Sequence, residues 1–237
     1  DMNAGTFFLF LLYALSAFLV STQKEDSLTT NTNTYTQSLI KVIRQTKNDV
    51  NLFSVISLTF IFNIFALPFI ALISLLLIEK FNPNELYIGM FTSLEGIGAL
   101  LGGTAITVIS INRKLISFIT LAIILLSISL AASSGSIFLF LLAILIFGMA
   151  TACYSALQST IIYINSTSEL RSSTFSLLTI AIGCGAFGSL NIYLMSDFFT
   201  TEKISNIMAI EGLLFSLIFI IIASTRFPMS KFFEKQH

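Results

Sequence analysis

Seven stretches of the chain, roughly 4–21, 51–78, 86–110, 115–132, 136–164, 173–196 and 204–224, are predominantly apolar. Each is long enough to cross a bilayer, which takes about 17–25 residues of helix. No other feature limits the fold so severely. Lipid offers no hydrogen-bond partner to a bare N–H or C=O, so a spanning stretch of this length is a helix. The residue-by-residue alternation of a membrane barrel is absent. Only 10% of the residues are charged, against about 25% in a soluble domain, too few to cover a globular surface. The expected fold is an all-α, multi-pass membrane protein with seven transmembrane helices.

The spans order the rest of the chain. Residues 1–21 hold the first helix, 22–50 a polar connector, 51–225 a six-helix bundle and 226–237 a tail. The connector opens with KEDSLTTNTNTYT, a flexible composition. It continues as QSLIKVIRQTKNDV, which places Leu39, Ile40 and Ile43 on one side and Lys41, Arg44 and Lys47 largely elsewhere. That pattern suits a short basic helix lying on a membrane surface. With the connector in the cytoplasm, ten of the twelve basic residues fall on the cytoplasmic side, and only Lys80 and Lys203 fall outside. The positive-inside rule then places the C-terminus in the cytoplasm. The sequon Asn165-Ser166-Thr167 lands on the same side and reads as chance. The apolar run after Asp1 lacks a basic leader and a small-residue cleavage pattern, so the expectation is a sequence that starts within a longer protein.

Several functions are disfavoured by what the chain contains. No basic face is dense enough to neutralise the phosphates of a nucleic acid. The only histidine is the last residue, His237, which disfavours a metal site, and Cys153 and Cys184 lie in apolar runs as small packing residues. There is no H-E-x-x-H, no G-x-S-x-G and no cluster of carboxylates. Neither an enzyme nor a bound cofactor is expected.

The segment TSLEGIGALLGG, residues 92–103, carries four glycines and a carboxylate within one span. A second glycine cluster, IAIGCGAFGSLN, occupies residues 180–191. GCGAFG matches a dinucleotide fingerprint, but it lacks the preceding strand that the fingerprint needs. Small residues in a membrane let helices approach closely, so Gly96, Gly98, Gly102, Gly183, Gly185 and Gly188 are expected to pack helices. Without the first span, six remain in two groups of three, 51–132 and 136–224, each with a glycine cluster in its middle span. Three spans reverse direction, so this is the weak symmetry of an inverted repeat.

SLIKVIRQTKNDVNLF, ELYIGMFTSLEGIGALLGG and ALQSTIIYINSTSELRSSTFSLLTIAIGCGAFGSL, in that order and spacing, resemble the major facilitator superfamily. The likeness is to the C-terminal half of such a transporter, preceded by the last helix of the N-terminal half and the central loop. Within the superfamily the likeness is to bacterial efflux members, including siderophore and macrolide exporters. The resemblance implies a 3+3 inverted six-helix half, a bacterial inner membrane location and a missing N-terminal half as partner. The loop reading ISINRKL lacks the family's usual acid, and Ser172 and Ser173 stand in place of its Gly-Arg pair after Glu169-Leu170-Arg171.

Glu95 falls near mid-membrane, where an ionisable group usually faces the bundle interior and marks a pathway or proton relay. In the fold the resemblance implies, its span lines a central cavity. So do those of Asn63, one turn after Thr59, and of Tyr154 and Gln158, near Thr151 and Ser155. A hydrogen bond between helices is the alternative for Glu95 and, taken singly, the favoured reading for Asn63, Tyr154 and Gln158. Glu211, seven residues into the last span, reads as an anchor near the outer interface. The expected function is proton-coupled efflux of small amphipathic molecules. The alternative is a non-transporting membrane scaffold, or a half-size protein that works only with a partner half.

Overall fold

Asp49 ends one helix and starts the next. Its carboxylate accepts hydrogen bonds from the N–H groups of Asn51 at 2.8 Å and Leu52 at 3.0 Å, two of the donors that a helix start leaves free. Before it runs α1, Thr32–Asn48, and after it α2, Val50–Ile61. The computed structural model describes residues 32–108 and 113–227, together with Leu15. The expected span 4–21, the connector up to residue 31 and the tail beyond Phe227 lie outside the described residues. The chain divides into two units, Asp1–Gln37 and Ser38–His237, and the architecture below is that of the second.

Every regular element among the described residues is a helix. Six runs are long and apolar enough to cross a membrane: Val50–Phe81, Glu85–Val108, Leu115–Ser133, Ile137–Asn165, Arg171–Ser196 and Thr201–Arg226. By length and composition the protein is a multi-pass helical membrane protein. Local chemistry moves the ends a few residues from the apolar limits. The last helix starts at Thr201 because the Thr200 hydroxyl accepts from the Lys203 N–H at 3.5 Å, drawing the charged Glu202 and Lys203 into its first turn. The first run extends to Phe81 and stops at Asn82, whose φ of 41° is left-handed, a terminating conformation that Asn tolerates.

Two of the six runs are not continuous helices. In the first, α2 passes into a π-helical turn, Phe62–Ala66, and Pro68 then leads into α3, Phe69–Phe81. Pro68 has no N–H, and its ring cannot sit beneath the carbonyl four residues back. The preceding turn widens, and the Leu67 N–H reaches Phe62 O at 2.9 Å. The fifth run breaks at Cys184 into α7, Arg171–Gly183, and α8, Gly185–Ser196. The others are α4, Glu85–Val108, α5, Arg113–Ser133, α6, Ile137–Asn165, and α9, Thr201–Arg226.

The helices alternate in direction, as cross-links at both ends show. At one end Asn51 of α2 donates to Asn165 of α6, and the Arg226 guanidinium lies 5.1 Å from the Phe53 ring. At the other, Lys80 pairs with Glu202 at 3.0 Å and donates to Ser134 O at 3.3 Å. There, too, Thr201 donates to Glu79 at 2.6 Å. The core lies between these layers, where α2, the π turn, α3, α5, α6 and α9 bring together Phe69, Leu76, Leu125, Ile128, Phe147 and Met208. α4 and α7–α8 flank it. In the first run 61% of the most apolar stretch is buried, against 11% in α4 and 17% in α7–α8.

The basic connector helix forms, but its faces differ from the expected ones. Ile40 and Ile43 are 64% and 43% exposed, while Val42 and Thr46 are buried. At 3.6 residues per turn, Arg44 and Lys47 share the stripe of Ile40 and Ile43, and Val42 and Thr46 occupy the opposite one.

Candidate functional site

Among the described residues the closest helix pair is α4 with α6, which run parallel. A Cβ added at Gly98 would lie 3.0 Å from the Met149 nitrogen and overlap the Leu145 carbonyl oxygen. One at Gly102 would come within 2.7 Å of Met149 Cα. From the other side, a Cβ at Gly148 would stand 3.0 Å from Glu95 Cα. The Cys153 thiol closes the seam by donating to Gly102 O at 3.1 Å. Backbones in such contact gain van der Waals packing, the main driving force between helices in lipid. Glycine and carboxylate share one segment because Glu95, Gly98 and Gly102, at i, i+3 and i+7, form one edge of α4.

The second glycine cluster forms a corresponding seam. A Cβ at Gly188 would overlap Ile64 O and come 2.7 Å from Pro68 Cγ, and one at Gly185 would lie 3.3 Å from Asn63 O. α8 therefore rests on the π turn. Gly96 and Gly183 stand apart from both seams: among the described residues, a Cβ at either meets nothing within 4 Å. Both glycines are exposed, on faces of α4 and α7 turned away from these seams. Gly148 and Gly212 were missed. A Cβ at Gly212 would lie 2.6 Å from Leu125 Cδ2 and 3.0 Å from Phe65 Cβ. Each stands alone in its span, and a single glycine carries no motif.

Tyr154, Gln158 and Asn63 are buried, together with Thr59. The Thr59 hydroxyl lies 2.7 Å from Val55 O, 3.0 Å from Gln158 Oε1 and 3.3 Å from the Tyr154 hydroxyl. Its single proton serves one of the two carbonyl acceptors, which leaves Tyr154 to donate to it. Asn63 donates to Thr59 O at 2.8 Å. Three of the expected pathway residues thus hydrogen-bond within the bundle, joining α2, the π turn and α6.

Glu95 differs from them. It follows Glu85 by ten residues, about 15 Å of helix, and is partly buried. Among the described residues its carboxylate has neither a hydrogen bond nor an ion pair. Thr151, three residues beyond Gly148 on the facing helix, has a buried hydroxyl that likewise lacks a partner. Two unengaged polar groups therefore belong to the two helices of the tightest seam. Glu211 occupies a comparable depth, ten residues beyond Thr201. The helix begins three residues earlier than hydropathy indicated. Asn191 of α8 donates to it at 3.5 Å.

Among the described residues no three His, Cys, Asp or Glu side chains form a group that could hold a metal. No protein-family model, no curated protein and no solved structure matches this chain. The likeness to major facilitator transporters stands on the residues quoted above.

Proposed function

We propose that this chain is the C-terminal half of a secondary active transporter of the major facilitator type, which expels small amphipathic molecules in exchange for protons. The observation that carries the reading is Glu95, a carboxylate ten residues into its helix with no partner among the described residues. Placing a charged residue at the centre of a membrane helix costs roughly 2.5–3.5 kcal/mol on insertion scales, and such residues usually serve a pathway. In this reading Glu95 accepts the coupling proton and Thr151 lies beside its route. The two glycine seams support an inverted 3+3 repeat, because each middle run packs on the first run of the other trio. The missing N-terminal half would cover α4 and α7–α8, the least buried of the spans. The bacterial inner membrane, with the C-terminus in the cytoplasm, is part of the same proposal.

The hydrogen bonds of Tyr154, Gln158 and Asn63 favour a second reading, a scaffold or half-size protein that acts only with a partner half. Those residues contribute cohesion, and nothing in their geometry demands a substrate. Glu95→Gln separates the two. Reconstituted with whatever half completes it, the transporter reading expects the variant to fold and to lose pH-dependent efflux of an amphipathic cation such as ethidium. Undiminished pH-dependent efflux per folded molecule would exclude Glu95 as the coupling acid. Absence of efflux from the unmodified assembly would favour the scaffold.

A further inference from the structure

We propose that the Ile40–Ile43–Arg44–Lys47 stripe of α1 is a docking surface for acidic phospholipids. Four observations carry it. Ile40 and Ile43 are large, apolar and exposed at 64% and 43%, although Val42 and Thr46 on the opposite stripe are buried. The exposed isoleucines are therefore not the residues that seat α1 on the protein. Arg44 and Lys47 flank them on the same stripe, with Lys41 beside it, and all three cations are exposed. Among the described residues none of these cations is in an ion pair, the one salt bridge being Lys80–Glu202 at the far end of the bundle. The nearest acid in sequence, Asp49, is engaged in capping α2.

The rest of this end has the same sign. Arg113 and Lys114 open α5, Arg171 opens α7 and Arg226 closes α9, while Asp49 and Glu169 are the only acids among the described residues there. The far end carries Glu79, Glu85, Asp197 and Glu202 against Lys80 and Lys203. A zwitterionic surface would reward the isoleucines alone. Only an anionic surface complements isoleucine and cation on one stripe, because each Lys or Arg near acidic headgroups adds attraction that decays over a Debye length.

The chain contains no tryptophan, so Ile40→Trp supplies a single emitter that keeps the stripe apolar. The full chain would be placed in nanodiscs of phosphatidylcholine, alone or with about one-third phosphatidylglycerol. Lipids carrying a nitroxide near the head of the acyl chain would serve as quenchers. The expected result is bluer emission and stronger quenching in the acidic discs, reversed in about 1 M salt, where screening shortens to about 3 Å. Adding Lys41→Gln, Arg44→Gln and Lys47→Gln should remove the difference between the two bilayers, while Lys203→Gln at the other end should leave it. Equal emission in both bilayers, or a difference that survives the triple substitution, would overturn the proposal. So would a protein-concentration-dependent shift without lipid quenching, which would assign the stripe to a second copy of the chain.

Discussion

Tyr154 shows how a polar residue inside a membrane protein can be occupied entirely by packing. Its ring lies 4.9 Å from that of Phe62, and its hydroxyl is matched to Thr59 on the neighbouring helix. Tyr154→Phe keeps the ring and removes one hydrogen bond. Hydrogen bonds between membrane helices average about 0.6 kcal/mol, so denaturation in detergent should shift by about that much and efflux should be unchanged. Lost efflux at unchanged stability would return Tyr154 to the substrate path. Asn165 repeats the lesson, because its side-chain amide donates to Ile161 O at 2.7 Å. Glu95 stands apart because no partner among the described residues accounts for it.

At the scale of elements, glycines divide by facing rather than by number. Gly98→Leu or Gly102→Leu should prise α4 from α6 and lower the folded yield in detergent, since overpacking costs about 1–3 kcal/mol. Gly96→Leu, two residues away on the open side of the same helix, should leave the yield near that of the parent. The same contrast applies to α7–α8: Gly188→Leu should disrupt its contact with the π turn, and Gly183→Leu should not. Equal effects within either pair would show that the seams contribute nothing specific. Saturable nucleotide binding that Gly188→Leu abolishes would instead revive the fingerprint reading of GCGAFG. The π turn and the break at Cys184 face each other across this second seam, where α8 approaches carbonyls that Pro68 leaves without their usual helical donor.

At the scale of the molecule, the two ends differ in charge and in linkage. The basic end is joined by Asn51 and Asn165, and the acidic end by Lys80, Glu202, Glu79 and Thr201. We expect the basic end to face the cytoplasm. With Cys153 and Cys184 replaced, Lys203→Cys should react with an impermeant thiol reagent on intact cells. Lys47→Cys should react only in inverted vesicles. The reverse pattern would invert the topology and place the acidic-lipid surface of α1 on the outer leaflet.

Sequence alone determined the existence, number and approximate limits of the six spans among the described residues. The reason is physical: lipid accepts no unpaired backbone, so an apolar run of sufficient length has no alternative to the helix. The charge asymmetry of the ends was equally legible, because all the basic side chains and most of the acidic ones fall outside the apolar runs. Only the tertiary structure decided which faces meet. It separated Gly98 and Gly102 from Gly96, and it turned Val42 and Thr46 rather than Ile40 and Ile43 towards the protein. It also joined Asn63, Tyr154 and Gln158 through Thr59 and left Glu95 without a partner among the described residues. In a membrane protein the surface towards lipid and the surface towards the next helix are both apolar. Composition therefore marks a span without marking its inner face, and that face is set by the neighbour against which each helix comes to rest.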